Sequence, residues 1–345
     1  MQAKGKALNC DRLQAEGSVF LGKATIAGEV RLLGARLGGD LECDGAALQA
    51  KGKALSCNRA KIAGTFFLRG GATVSGCIDL TGASLGSICD DPACWPPEVL
   101  LDRCRYGAFQ GNNVPTDAEN RLKWLALQKP QDYGQDFWPD PYEHCAKVLR
   151  EMGHGAEATK ILIEKERLQR QARREALSKA GQAPFANLRW LSDWILGITT
   201  RYGRQPLWAF VWLLGFWAFG ALMFDQAAQR GEIKPNLPQI QRAAEWVDCS
   251  DGAALRLPEH AHQPDCFHAQ PEGQSHPRFN AIFYSADTLF PVVALEMQSY
   301  WIPDDTKPFG KYARWYLWAH IIAGWALTLL AVAGFSGLIK TDNTT

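Results

Sequence analysis

Residues 17–27 read GSVFLGKATIA and residues 28–38 read GEVRLLGARLG; the same cadence returns at 64–74, GTFFLRGGATV, and at 76–86, GCIDLTGASLG. Each unit opens on glycine, runs through a short apolar stretch, meets a second glycine and closes on a small residue followed by an apolar one. The period is about eleven residues. Alternation such as Val30-Arg31-Leu32 or Ile78-Asp79-Leu80 is a strand signal, and glycine at fixed offsets fits a tight corner. Such units stacked on one another make a parallel β-solenoid that buries Val, Leu, Ile and Cys in a central ladder. A longer repeat overlies the short one, since KGKALNC at 4–10 recurs as KGKALSC at 51–57. The expected solenoid covers residues 1–90, with Cys10, Cys43, Cys57 and Cys77 as buried free thiols at its strands and corners.

Beyond this block the composition changes. The chain has 345 residues, and 37 Lys+Arg against 36 Asp+Glu leave a net charge of +1, which argues against a nucleic-acid binder that works by neutralising phosphates. With 47% hydrophobic and 21% charged residues it is not a disordered chain. Twelve of its 13 tryptophans follow residue 120, a skew that points to a membrane because Trp favours the bilayer interface. No secretory signal is legible: MQAKGKALNC carries Lys4 and Lys6 but no apolar run follows, so the N-terminal half is expected to stay where it is made.

Residues 91–184 read as a Pro/Gly/Asn-containing connector, with Trp95-Pro96-Pro97, followed by amphipathic helices. Asp140-Pro141 is an N-cap with proline at the first helical position. Tyr142, Cys145, Val148, Leu149 and Met152 recur at helical spacing, Gly153-His154-Gly155 breaks the pattern, and a second helix carries Ile161, Leu162 and Leu168. This hairpin resembles one tetratricopeptide unit, which cannot bury its face alone, and the solenoid end is its expected partner. Residues 185–204, around WLSDWILGI at 190–198, read as a basic interfacial helix.

Two apolar runs follow. Residues 207–224, LWAFVWLLGFWAFGALMF, and 315–339, WYLWAHIIAGWALTLLAVAGFSGLI, are each near the length that crosses a bilayer. Between residues 165 and 204 nine basic residues stand against Glu166, Glu175 and Asp193, so the positive-inside rule puts that side in the cytoplasm. Both termini are then cytoplasmic in a multi-pass inner-membrane protein whose membrane domain spans 205–340, and residues 225–314 face outward. Cys249 and Cys266, on that oxidising side, read as a disulfide; the alternative is a zinc site built from His260, His262, Cys266 and His268, whose spacing matches no standard module.

Residues 279–304, FNAIFYSADTLFPVVALEMQSYWIPD, lie between the two runs. The apolar part is too short to span and contains Pro291, so it reads as a helix that enters the bilayer and returns, which requires cover from other protein and hence a homo-oligomer. Phe283-Tyr-Ser-Ala-Asp-Thr-Leu289 resembles the pore helix of two-transmembrane pore-loop channels. The glycine-bearing filter of a potassium channel is absent, because Phe290-Pro-Val-Val-Ala-Leu295 follows instead. Ser285, Asp287, Thr288, Pro291 and Glu296 are the pore-like candidates, with Glu296 as a ring of carboxylates that would attract cations. His320, in the second run, is the candidate gate. Gly220, Gly324, Gly334 and Gly337 permit close helix approach.

The stretches Pro141–His154, Tyr284–Pro303 and Tyr316–Lys340 are also similar to a family of bacterial membrane proteins that join an N-terminal repeat solenoid to a two-span tail, named membrane-associated oxidoreductases or pentapeptide-repeat proteins. The resemblance implies a mixed fold: β-solenoid, central helical hairpin, and two-transmembrane domain with a re-entrant helix. Nothing in the residues supports the oxidoreductase name: no GxGxxG, CxxC or haem-attachment motif occurs, nor any P-loop, HExxH or nucleophile elbow, so no cofactor, metal or catalytic residue is expected. The expected function is an oligomeric pore-loop-like channel for ions with a cytoplasmic sensing or interaction domain. The alternative is a non-conducting membrane-anchored scaffold that recruits a cytoplasmic protein through the solenoid.

Overall fold

A computed structural model describes residues 2–205, 207–250 and 262–335. The chain divides into two units, residues 1–193 and 194–345, taken in turn.

The first unit is a parallel β-solenoid closed by helices. One sheet stacks Gln2–Asn9, Thr25–Arg31, Ala47–Ser56, Thr73–Asp79 and Glu98–Leu100; the other stacks Gln14–Ala15, Arg36–Leu37, Lys61–Leu68, Ser84–Asp90 and Arg105–Phe109. The register explains the sequence cadence. Leu8, Val30, Leu55, Ile78 and Val99 are partners in one ladder, and Leu37, Ile62, Leu85 and Tyr106 in the other. Two eleven-residue units therefore make one coil, one unit for each sheet. Alternation sends every second side chain inward, and the two apolar ladders face each other across a dry core. Gly76 holds φ +136°, and a Cβ there would lie 2.5 Å from the carbonyl oxygen of Gly52, so only glycine fits that step.

The solenoid runs past the expected end at residue 90. Asp91-Pro92 opens a 3-10 turn, and Glu98–Leu100 and Arg105–Phe109 add a further coil. The Trp-Pro-Pro run is a corner of that coil rather than a linker. Trp95 packs against the core, and its Nε1 donates to Asp90.

Helices α1 (Ala118–Leu125), α2 (Asp140–Glu151) and α3 (Gly155–Lys179) share one apolar core with the last coil. Gly153, at φ +91°, turns α2 into α3. Asp140 differs from its expected capping role. Pro139 holds the N-cap position, and the Asp140 carboxylate instead accepts both terminal nitrogens of Arg105 at 2.8 and 2.7 Å and the backbone N–H of Arg103 at 3.1 Å. Under the helices sits a buried ion pair with no sequence signal. Arg121 is fully buried, donates twice to Asp90 at 2.8 Å and once to the Pro115 carbonyl, and lies 3.5 Å over the Phe109 ring. Helix α4 (Ala183–Thr200) follows, with Asp193 bound by Arg170 and Arg174 and with Phe185, Leu188, Leu191, Ile195 and Ile198 exposed.

The second unit contains two long apolar helices, α5 (Leu207–Gln229) and α8 (Pro308–Phe335), each long and apolar enough to cross a membrane. Only 22% and 28% of their most apolar stretches are buried, so most of each faces outward. Between them, Ile233–Pro235 pairs antiparallel with Trp301–Pro303. Lys234 donates to Asp304 and Asp305 at 2.9 Å each and holds the Asp305 carboxyl below its usual range. Helix α6 (Gln263–Ala269) is joined to the segment before it by a Cys249–Cys266 disulfide, and α7 (Ala281–Leu289) packs against both long helices.

Candidate functional site

The site is assembled around α7. Asn280 starts the helix, its Oδ1 accepting the N–H groups of Ile282 and Phe283. Tyr284 stacks edge-on against Phe224, Ser285 meets α5 at Gly220, and Leu289 packs with Leu213. On the other side Ser285 meets His320, and Leu289 meets Gly324 and Leu327. Thus α7 runs antiparallel to α5 and parallel to α8, and it ends opposite the middle of α8 and the first third of α5. Leu213 lies six residues, about 9 Å, from the start of α5.

Two glycines make this wedge fit. A Cβ at Gly324 would lie 1.9 Å from the Leu289 carbonyl oxygen, and one at Gly220 would lie 2.4 Å from Ser285 Oγ. Gly220 and Gly324, two of the four glycines named in the sequence, thus admit α7 between the two long helices; Gly337 lies outside the described residues.

Polar groups then tie the three helices together. Tyr316 donates from its hydroxyl to His320 Nδ1 at 3.0 Å, which leaves Nε2–H to donate to the Ser285 carbonyl at 3.2 Å. Ser285 Oγ donates to the Trp217 carbonyl at 2.8 Å, and Trp217 Nε1 donates to the Ile282 carbonyl at 3.0 Å. His320, fully buried, is a hydrogen-bonded bridge between α8 and α7. Thr288 donates to the Tyr284 carbonyl within its own helix. Asp287 accepts the N–H groups of Leu295 and Gln298 at 2.7 and 2.8 Å, so its carboxylate straps the returning segment to α7.

The pore-like candidates therefore separate into two groups. Ser285, Asp287 and Thr288 are buried and engaged, whereas Pro291 and Glu296 belong to the returning segment. In that segment Val292 is 87% exposed, Val293 and Leu295 are exposed, and Glu296 turns the chain at φ +62°. The Tyr316 and Trp217 partners were not legible as site residues. Asn280 was, in principle, since Asn immediately before an apolar run is an N-cap signal.

The segment between the long helices carries an aromatic cluster. Trp246, Phe267, His268, His276, Tyr300 and Trp301 pack with ring centroids 5.0–6.3 Å apart. Cys266 is held in the disulfide, so the alternative zinc set has no thiolate; His260 lies outside the described residues. Among the described residues no group of three metal-ligating side chains occurs.

Burial pushes the His268 and His276 imidazoles below their ordinary pKa; the nearby Arg278 cation lowers His268 further, and His268 lowers His276. Both are therefore folded in the neutral form, and the stability they contribute is complete above about 6.5, the ordinary value, and declines as pH falls below it. Near-ultraviolet dichroism is expected to show this aromatic cluster loosening on acidification. The acid midpoint should move to lower pH in His276→Phe, which removes one of the two protonation sites.

No family model, curated protein or solved structure matches the chain.

Proposed function

We propose that the protein is a two-span membrane protein in which α5 and α8 cross the bacterial inner membrane and α7 re-enters it. Copies gather around an axis, and residues 290–296 line a narrow path for ions. The basic flank before α5 supports a cytoplasmic side for both termini and the solenoid, where the solenoid serves as the sensing or interaction domain.

The observation that carries this reading is the depth at which α7 stops. The Leu289 carbonyl sits against Gly324 in the interior of α8, so non-helical chain begins there, with Val292, Val293 and Leu295 exposed. In hydrocarbon each unsatisfied backbone polar group costs several kcal/mol, so irregular chain at that depth requires cover from protein or from water. Neighbouring copies supply the protein, and the axis supplies the water. The arrangement resembles a pore-loop channel, while Phe290-Pro-Val-Val-Ala-Leu295 lacks the glycines of a potassium filter.

The test is ion flux in proteoliposomes, with the oligomer counted by native mass spectrometry. Wild type should conduct, and Glu296→Gln should reduce cation over anion preference. A symmetric oligomer that passes no ions would favour the second reading, a membrane-anchored scaffold. One observation supports that alternative: Ser285, Asp287 and Thr288 direct their hydrogen bonds into their own fold.

A further inference from the structure

The solenoid corners stack in register through backbone hydrogen bonds from Arg12 to Leu33, Gly34 to Asn58, Arg59 to Thr81 and Gly82 to Asp102. One corner line therefore runs Arg12, Gly34, Arg59, Gly82, Arg103, all exposed or half-buried. Arg12, Arg59 and Arg103 hold φ +60°, +56° and +54°, the left-handed region in which glycine is the unstrained choice, as at Gly34 and Gly82. Arginine at such a corner is a local strain that the backbone does not require. The Arg59 stem lies across Gly82, with its Cγ 3.4 Å from where a Cβ would stand. Glycine at that corner leaves room for Arg59, whereas a Cβ at Gly34 would meet nothing within 4 Å.

Two residues further on, a second line runs Gln14, Arg36, Lys61, Ser84, Arg105, paired strand to strand. Arg103 and Arg105 are engaged by Asp102 and Asp140. Among the described residues Arg12, Arg36, Arg59 and Lys61 have no carboxylate at ion-pair distance, and Asp11 nearby pairs with Arg31. Beside them lies a groove of about 550 Å³ lined by Gln14, Glu16, Arg36, Gly38, Lys61 and Ser84. Glu16 is its one carboxylate.

We infer that this face binds an extended acidic segment of a cytoplasmic partner protein, in polyproline II conformation, with a carboxylate at every third residue. Neighbouring strands lie about 4.8 Å apart, so the arginines on alternate corners recur about every 9.6 Å. A polyproline II chain makes one turn in three residues and about 9.3 Å, which brings every third side chain back to the same face. The charge is complementary, the spacing matches, and a concave strip suits an extended chain better than a flat bilayer. The inference rests on the solenoid being an interaction domain and is independent of conduction.

The experiment uses full-length protein in phosphatidylcholine nanodiscs and a fluorescent peptide EPPEPPEPP. Binding is expected, weakened by salt and reduced tenfold or more in Arg12→Gly/Arg59→Gly. That variant places glycine where the neighbouring corners already have it, so unchanged circular dichroism is expected. Arg36→Gln/Lys61→Gln should weaken binding without touching the corner backbone. Equal binding of EEEPPPPPP would overturn the spacing argument, and unchanged binding in both variants would overturn the site. Loss of peptide binding when phosphatidylglycerol replaces part of the phosphatidylcholine would assign the face to lipid instead.

Discussion

Gly324→Leu is expected to dislodge α7 and lower the thermal midpoint of the second unit on the order of 10 °C. A Cβ at Gly324 already falls 1.9 Å from the Leu289 carbonyl oxygen and 2.8 Å from its carbon, so the obstacle is backbone and cannot rotate away. Overpacking of this kind costs about 3 kcal/mol, and a unit of this size shifts by about 2–4 °C for each kcal/mol. The displaced helix would also carry Ser285 away from His320 and release the link between α7 and α8. Tryptophan fluorescence during heating in detergent reads the effect. Gly215→Leu is the control: nothing lies within 4 Å of a Cβ there, and its midpoint should stay near wild type. Equal losses at both positions would remove the wedge of α7 as the explanation.

Arg121→Leu is expected to destabilise the solenoid by about 3–5 kcal/mol, because it leaves the Asp90 carboxylate buried without its cation. Trp95 would still donate one hydrogen bond to Asp90, which is not enough to replace two charge-assisted ones. The Pro115 carbonyl would lose its donor as well. Arg121→Lys should fall between, since one ammonium cannot reach both carboxylate oxygens and the carbonyl in the planar geometry of guanidinium. Pulse proteolysis of the full chain across a urea series measures these differences. Removing both charges in Asp90→Leu/Arg121→Leu should recover more than half of the loss, because burying apolar groups avoids the orphaned charge. A double variant no better than the single one would mean that packing under Phe109, rather than charge, holds the cap.

Much of this architecture can be read from short-range pattern. The glycine-bounded units gave the solenoid because inward alternation and corner glycines are local signals. The long apolar runs gave α5 and α8 for the same reason. What stayed hidden depends on contacts between distant residues. Arg121 and Asp90 are 31 positions apart, and neither is unusual in its own neighbourhood. The last coil is masked because Trp95-Pro96-Pro97 has the composition of a linker, while its fate is decided by Asp90 and the core beneath. Around α7, Ser285, Asp287 and Thr288 stood out as polar residues in an apolar run. The partners of Ser285 and Asp287 were invisible, since Trp217 and His320 reach Ser285 only by helix packing and Leu295 and Gln298 reach Asp287 only where the chain turns back.

The alternation of arginine and glycine at the corners also sets a rule for how such a solenoid can change length. Lys4–Cys10 and its copy at 51–57 are forty-seven residues apart, as are Arg12 and Arg59, while one coil is about half of that. The unit of duplication is a pair of coils. Adding a pair would extend the rod by about 9.6 Å and continue the corner pattern in phase. Inserting a single coil would preserve the ladders and the core, yet set glycine beside glycine or crowd two arginines together on neighbouring corners. The backbone is indifferent to that parity, and the surface is not; the rod behaves as a ruler whose markings repeat at twice the spacing of its rungs.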